Sequence, residues 1–260
     1  MKAIQLHITG ITKTFQDIGK GNYLQFFVPG IVVAILFWQV FIFLGTVESS
    51  VSFLEDIPFI GSILDWILGG AFTIIKFIVT QFFIFFVLTL LSPFNTFLSE
   101  KVAFDVTGTK YKFTFEGLLL DLIRMIFIVF IAVILQLFCF LIYFIISSIL
   151  GLGFLDEIAY FLISSFFYGF AFFDYSLERD KIGVFGSLGF AFSNMLLVSL
   201  TGSFFLLLYK IGSFFVGSFS FSFFSIIPNL GIIAAPVLTT ILATHVYILN
   251  KQETNDRTQK

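Results

Sequence analysis

Apolar residues recur at Ile4, Ile8, Ile11, Phe15 and Ile18, steps of four, three, four and three that draw one stripe along a helix. Lys2, Gln5, Thr9, Lys13 and Lys20 fall off that stripe. The pattern predicts an amphipathic first helix, either resting in a membrane interface or packed on a polar face of the protein itself. Six longer apolar segments follow, near Tyr23–Gly45, Gly69–Leu91, Met125–Leu150, Ile158–Phe173, Leu188–Leu208 and Leu230–Leu249. A helix crosses a bilayer in about 20 apolar residues, so these are predicted spans, the fourth being short unless it extends at one end. The chain thus divides into an amphipathic segment 1–22, a membrane domain 23–249 and a polar tail 250–260.

The stretch "LSPFNTFLSEKV" (91–102) interrupts this pattern. Ser92 suits an N-cap and Pro93 the first helical position. Phe94, Phe97, Leu98 and Val102 share one helical face, while Asn95, Ser99 and Glu100 fall elsewhere. A separate short helix is predicted here, starting where the second span meets water.

Composition narrows the class. Of 260 residues, 58% are hydrophobic and 12% charged, with a mean hydropathy of +1.06; soluble domains carry about a quarter charged residues. The expected fold is therefore an all-α integral membrane protein of about six apolar helices plus the amphipathic one. The 42 phenylalanines read as packing and lipid-facing residues. A net charge of −2 offers no basic field for nucleic acid. The single cysteine, Cys139, excludes an internal disulfide and any CxxC site. His7 and His245 stand apart with no second ligand at metal spacing, so no metal and no cofactor is expected. Nor does any nucleophile, paired carboxylate or His cluster stand at catalytic spacing, so the chain does not read as an enzyme.

Charge placement gives the topology. Lys and Arg number three before the first span, none in 46–68, four in 92–124, none in 151–157, two in 174–187 and three after 249. Basic and base-free loops alternate, which by the positive-inside rule puts both termini in the cytoplasm. Lys210, at the outer end of the fifth span, would snorkel to the headgroups.

Several polar residues are candidates for chemistry. Asn22 is placed to cap the first long helix, with Lys20 beside it and Gly19 and Gly21 allowing an anion near the backbone; an ordinary helix start reads the same way. Pro29-Gly30 marks either a broken transport helix or a kink. Lys76 is the most interior charge, suited to an anion path or to snorkelling and pairing with Asp65. Glu100 with Lys101, and Glu178 with Arg179, read as ion pairs that anchor loops. Gly183, Gly186 and Gly189 have the spacing of close helix contacts within or between subunits.

"SPFNTFLSEKV" resembles the Pro-Phe-Asn and Ser-Glu-Lys motif of the EI24-domain family, which includes CysZ-like sulfate permeases; Pro93, Phe94, Asn95 and Glu100 carry the likeness. "AFFDYSLERDKIGVFGSLGFAFSN" (171–194), with Asp174, is similar to the family's Asp-Tyr stretch. "IIPNLGIIAAPVLTTILATHVY" (226–247) is similar to its ending through Pro228 and Pro236. The resemblance covers roughly residues 15–248 and implies a bacterial inner-membrane permease for sulfate or a related anion, working as a homo-oligomer in the lipid bilayer. The residues themselves place the expected anion site near Lys20, Gly21, Asn22 and Tyr23, with Lys76 along the path. The family's Gly-Leu/Ile-Arg-Arg sequence falls on Gly21, Asn22, Tyr23 and Leu24, so both arginines are absent. The family's later hairpins enter the membrane only partway, whereas Asp156 and Glu157 at the tip of the first hairpin here favour full crossing. A non-transporting membrane organiser on the same fold is the reading that stands against the permease.

Overall fold

A computed structural model of the chain describes residues 2–36, 39, 60–109, 115–218 and 230–258. Every element described is helical, as a bilayer demands of a chain that must bond its own backbone within each segment. The helices are α1 (Lys2–Gly19), α2 (Leu24–Leu36, entered through a 3-10 turn at Leu24–Phe26), α3 (Ile60–Thr107), α4 (Phe115–Leu150), α5 (Asp156–Arg179), α6 (Val184–Ser193), α7 (Met195–Ser218) and α8 (Leu230–Thr258). Among the described residues, four stretches are long and apolar enough to cross a membrane: Phe83–Thr107, Leu119–Leu150, Gly153–Arg179 and Gly231–Asp256. Two bent pairs, α1 with α2 at 96° and α6 with α7 at 97°, raise the number to six if each is one span. The predicted all-α, multi-pass class is what forms.

Two predicted boundaries are corrected. Ser92-Pro93 starts no new helix: α3 runs through Pro93 to Thr107, and Ser92 is fully buried. Phe94 and Phe97 face outward while Asn95 and Ser99 are buried with Leu98 and Val102, because lipid accepts phenylalanine and the protein interior must take the polar groups. The fifth predicted span breaks at Asn194, whose side-chain amide donates to the Phe190 carbonyl at 2.9 Å and whose backbone N–H turns to Phe190 and Ala191. Such local bonds compete with the helical ladder.

α5 forms the centre, buried from Ser164 to Leu177. Its aromatic rings meet those of α3 and α7, with Phe85 and Tyr168 centroids 4.6 Å apart and Phe172 and Phe205 5.0 Å apart. α4 instead turns Phe127, Phe130, Phe138 and Phe144 outward, so phenylalanine serves both packing and the lipid face, as the composition implied. At one end of the α4–α5 hairpin Arg124 meets Asp174. At the other, Tyr143 and Ser147 donate to Asp156, beside the edge-to-face rings of Tyr143 and Tyr160. From Arg124 to Tyr143 the helix rises about 28 Å, close to a hydrocarbon thickness of about 30 Å. The fourth predicted span gains its missing length from its polar ends, and the hairpin is long enough to cross completely.

α1 packs against the bundle, though not through its apolar stripe. Leu6, His7, Gly10 and Thr14 are buried, His7 bonded to Thr201 of α7 at 2.9 Å. A Cβ on Gly10 would stand 2.8 Å from Val246 and 2.9 Å from Leu242, so glycine sets the closeness of α1 to α8. Ile4, Ile8 and Phe15 remain exposed, turned away from the bundle. Lys2 pairs with Glu253 at 3.2 Å, which puts both ends of the chain on one side.

Candidate functional site

α3, α5 and α8 end together at the charged side of the bundle, and there they turn hydroxyls and amides toward one another. Ser99 on α3 lies 3.3 Å from Ser176 on α5 and accepts from Thr244 on α8 at 2.9 Å. Deeper in, Asn95 donates to the Tyr175 hydroxyl at 3.4 Å, which donates to the Leu88 carbonyl at 3.4 Å. All five side chains are almost wholly inaccessible. Buried hydroxyls normally have a partner, yet Ser92, Thr96, Thr239 and Thr240 have none among the described residues.

Arg179 closes the charged end of this seam. Its guanidinium donates to the Ser99 carbonyl at 3.2 Å and hydroxyl at 3.1 Å and lies 5.8 Å from the ring of Tyr247. It also lines a cavity of about 190 Å³ with Thr107, Thr109, Asp180, Lys251 and Asn255. Asp180 accepts from Lys251 at 2.6 Å and from Tyr247 at 2.5 Å. Burial alone would raise the Asp180 carboxyl, but these two donors outweigh it and hold it below the usual carboxylate value.

The expected Glu178–Arg179 and Glu100–Lys101 pairs are replaced by others. Lys101 bonds Asp105 at 2.6 Å, one helical turn on. Arg124 of α4 grips Asp174 through two bonds of 3.0 and 2.7 Å, adds Ser187 of α6 at 3.0 Å, and stands 3.7 Å from Glu178. Glu178 also lies within electrostatic reach of Asp121 on α4. Helical geometry pairs residues three or four apart, so neighbours in sequence point different ways and find partners on other helices. Nothing in the local spacing announces Arg124 or Asp121; only their place at the head of α4, Arg124 directly before the apolar run and Asp121 one turn earlier, marks them.

The turn at 19–24 is brought together, but not as a helix cap. Tyr23, not Asn22, precedes the helical turn, with φ 65 and no capping side chain. Gly21 also takes positive φ, at 81, where glycine is unstrained. Tyr23 is buried and its hydroxyl donates to Asp105 at 3.0 Å; burial first, then that carboxylate, pushes its phenol far above the ordinary value, so it stays neutral. Asn22 and Tyr23 line an open cavity of about 510 Å³ with Lys13, Gln16, Asp17, Asp105 and His245. Asp17 is held by His245 at 2.9 Å. Two carboxylates in this wall oppose an anion; Lys20, exposed nearby, has no carboxylate within ion-pair distance among the described residues. Of the other predicted positions, Asn95 and Asp174 are both buried near Tyr175, Glu100 lies half-buried within electrostatic reach of Asp121 and Arg179, and Pro236 is inside α8. Pro228 and the side chain of Lys76 lie outside the described residues. A Cβ on Gly183 or Gly189 would meet nothing within 4 Å, and one on Gly186 only Ile182, so no close helix approach within the chain requires these glycines.

No protein-family model, curated protein or solved structure matches the chain.

Proposed function

We propose that the protein is a multi-pass permease of the bacterial inner membrane that passes a small inorganic anion of the sulfate class, with its charged end and both termini in the cytoplasm. The observation that carries this reading is Arg179. It supplies a cation at the mouth of a buried hydroxyl seam, in a chain whose first long helix lacks the arginines of the family it resembles. A dianion stripped of water needs such charge-assisted donors, and Thr107, Thr109, Lys251 and Asn255 add donors to the same cavity. The basic loops support the orientation. The seam itself is closed, its hydroxyls fully covered, so passage requires α3 and α8 to part.

Purified protein in liposomes should take up labelled sulfate above empty vesicles, with phosphate competing better than chloride, and Arg179→Gln should lower uptake at least tenfold. Folded, inserted protein that moves no sulfate would overturn the permease and leave the organiser.

A further inference from the structure

The elbow between α1 and α2 borders an open cavity whose wall carries charges of both signs. The two helices meet at 96°, with Gly21 and Tyr23 supplying the positive φ of the turn. α1 runs across the charged end, tied to α8 by Lys2 with Glu253 and by Asp17 with His245. Lys13, Asp17 and Asp105 all line the cavity of about 510 Å³, a size within the usual range for small ligands, about 300–1,000 Å³. Both carboxylates act on the Tyr23 hydroxyl, so they face one region. Asp105 takes that hydroxyl on one oxygen at 3.0 Å and Lys101, from outside the wall, on the other at 2.6 Å; each oxygen keeps a lone pair for a further donor. Lys13 stands within electrostatic reach of His245 and has no carboxylate within ion-pair distance among the described residues.

An apolar strip begins at the same elbow. Leu24, next to Tyr23 of the cavity wall, is exposed, and so are Val28, Ile31 and Ile35. They stand at i, i+4, i+7 and i+11, one side of α2. The opposite side packs through Val33 and Ala34 on Leu91, Ile232 and Ile233, so α2 leads from the charged end toward the membrane interior. Val106, also exposed, lines the cavity itself. The charged wall therefore passes directly into a lipid-facing strip, as headgroup passes into acyl chain.

We propose that this elbow binds a zwitterionic phospholipid with a primary-ammonium headgroup, its phosphate at Lys13 and Asn22, its ammonium between Asp17 and Asp105, and its acyl chains along α2. Phosphatidylethanolamine is the probe. A primary ammonium carries three N–H donors, and charge-assisted bonds to carboxylates are the strong ones. A headgroup with negative charge alone would meet two carboxylates here. A trimethylammonium has no N–H to give and is held by cages of aromatic faces; Tyr23 and His245 are the rings of this wall among the described residues, and each is already bonded to one of the carboxylates. An interfacial helix joined to a membrane helix is the place where lipid composition is read. The site goes beyond the permease reading and does not depend on it.

The test is native mass spectrometry of the full-length protein in detergent, titrated with phosphatidylethanolamine, phosphatidylcholine or phosphatidylglycerol of the same acyl chains. The unaltered protein should hold the ethanolamine lipid about tenfold more tightly than either of the others, a comparison that needs no variant. Asp17→Asn combined with Asp105→Asn should bring the three lipids level. Lys13→Met should weaken all three alike, because the phosphate is common to them. Equal retention of the three lipids by the unaltered protein, or tightest retention of phosphatidylglycerol, would overturn the site. A preference that survives both asparagine changes would overturn the assignment to these carboxylates. Glycerophosphoethanolamine, the same headgroup without acyl chains, should bind far more weakly than the lipid; equal affinity would overturn the lipid and make the ligand a soluble zwitterion.

Discussion

α5 and α7 touch backbone to backbone, whereas α3 and α8 share the Ser99–Thr244 hydroxyl bond and clusters of aliphatic side chains, Leu98 and Val102 with Val237 and Ile241 among them. Where α5 crosses α7, a methyl on Gly202 would run into the Ser165 carbonyl, and one on Gly169 into that of Val198. Around this crossing lie Phe166, Phe170, Phe172 and Phe205, all buried. Within a membrane there is little hydrophobic drive between helices, so close backbone approach and packing hold them. The α3–α8 contact gives up part of that closeness to hydroxyls, several of them unpartnered. One crossing is closed by backbone against backbone, and the other keeps polar side chains in its interior.

The comparison breaks first at the glycines. Gly202→Ala should cost about 3 kcal/mol or more, since its methyl meets rigid backbone rather than a movable side chain; the folded, monodisperse fraction in detergent would fall sharply. Gly169→Ala should behave alike. The same yield after either change would mean that α5 and α7 are not so tightly joined.

Next comes the ion pair that ties α4 to α5. Arg124→Gln strands Asp174, whose side chain is 2% exposed, and should destabilise by about 3–5 kcal/mol, read as a lower Tm. Asp174→Asn should cost less, because Arg124 keeps Glu178 at 3.7 Å.

Along the polar seam the effects are smaller and have a definite order. Thr244→Val breaks the bond to Ser99 and should cost about 1 kcal/mol. Thr96→Val and Thr240→Val lose no protein hydrogen-bond partner, and should cost less than Thr244→Val. Unfolding curves that rank these variants the other way would show that the orphan hydroxyls are bonded after all.

The smallest effect is set by pH. The Asp180 carboxyl is held below its ordinary value in the folded state, so its contribution is present above the unfolded value of about 4. That contribution is lost as pH falls through the lower folded value. Lys251→Met removes one of the two donors, so the gap in Tm between it and the unaltered protein should be open at neutral pH and narrow as the solution is acidified below about pH 4. A gap that widened on acidification would contradict the pairing.

Much of the fold was legible because its signals are local. Runs of apolar residues specify spans by length alone, and the steps of α1 specify an amphipathic helix. Ser92-Pro93 misled for a physical reason: Ser-Pro reads as a helix start at a water boundary, yet in lipid an existing helix continues through proline when neighbours cover the freed carbonyl. The spacing grouped Phe94 and Phe97 with Leu98 and Val102, yet Asn95 and Ser99 turn inward with Leu98 and Val102 while Phe94 and Phe97 turn out.

The candidate site was less legible, since it joins residues far apart in the chain. Asn95 and Asp174 were singled out through motifs, but Arg179 was assigned to its sequence neighbour and Thr244 to nothing. By itself the sequence determined that this is an all-helical membrane chain with its charges gathered in alternate loops, because hydrophobic length and charge are additive properties of segments. Tertiary structure decided which polar groups face one another. Pairings such as Arg124 with Asp174, Arg179 with Ser99 and Tyr23 with Asp105 depend on the crossing and register of separate helices, and those are fixed by where glycines let the backbones come close.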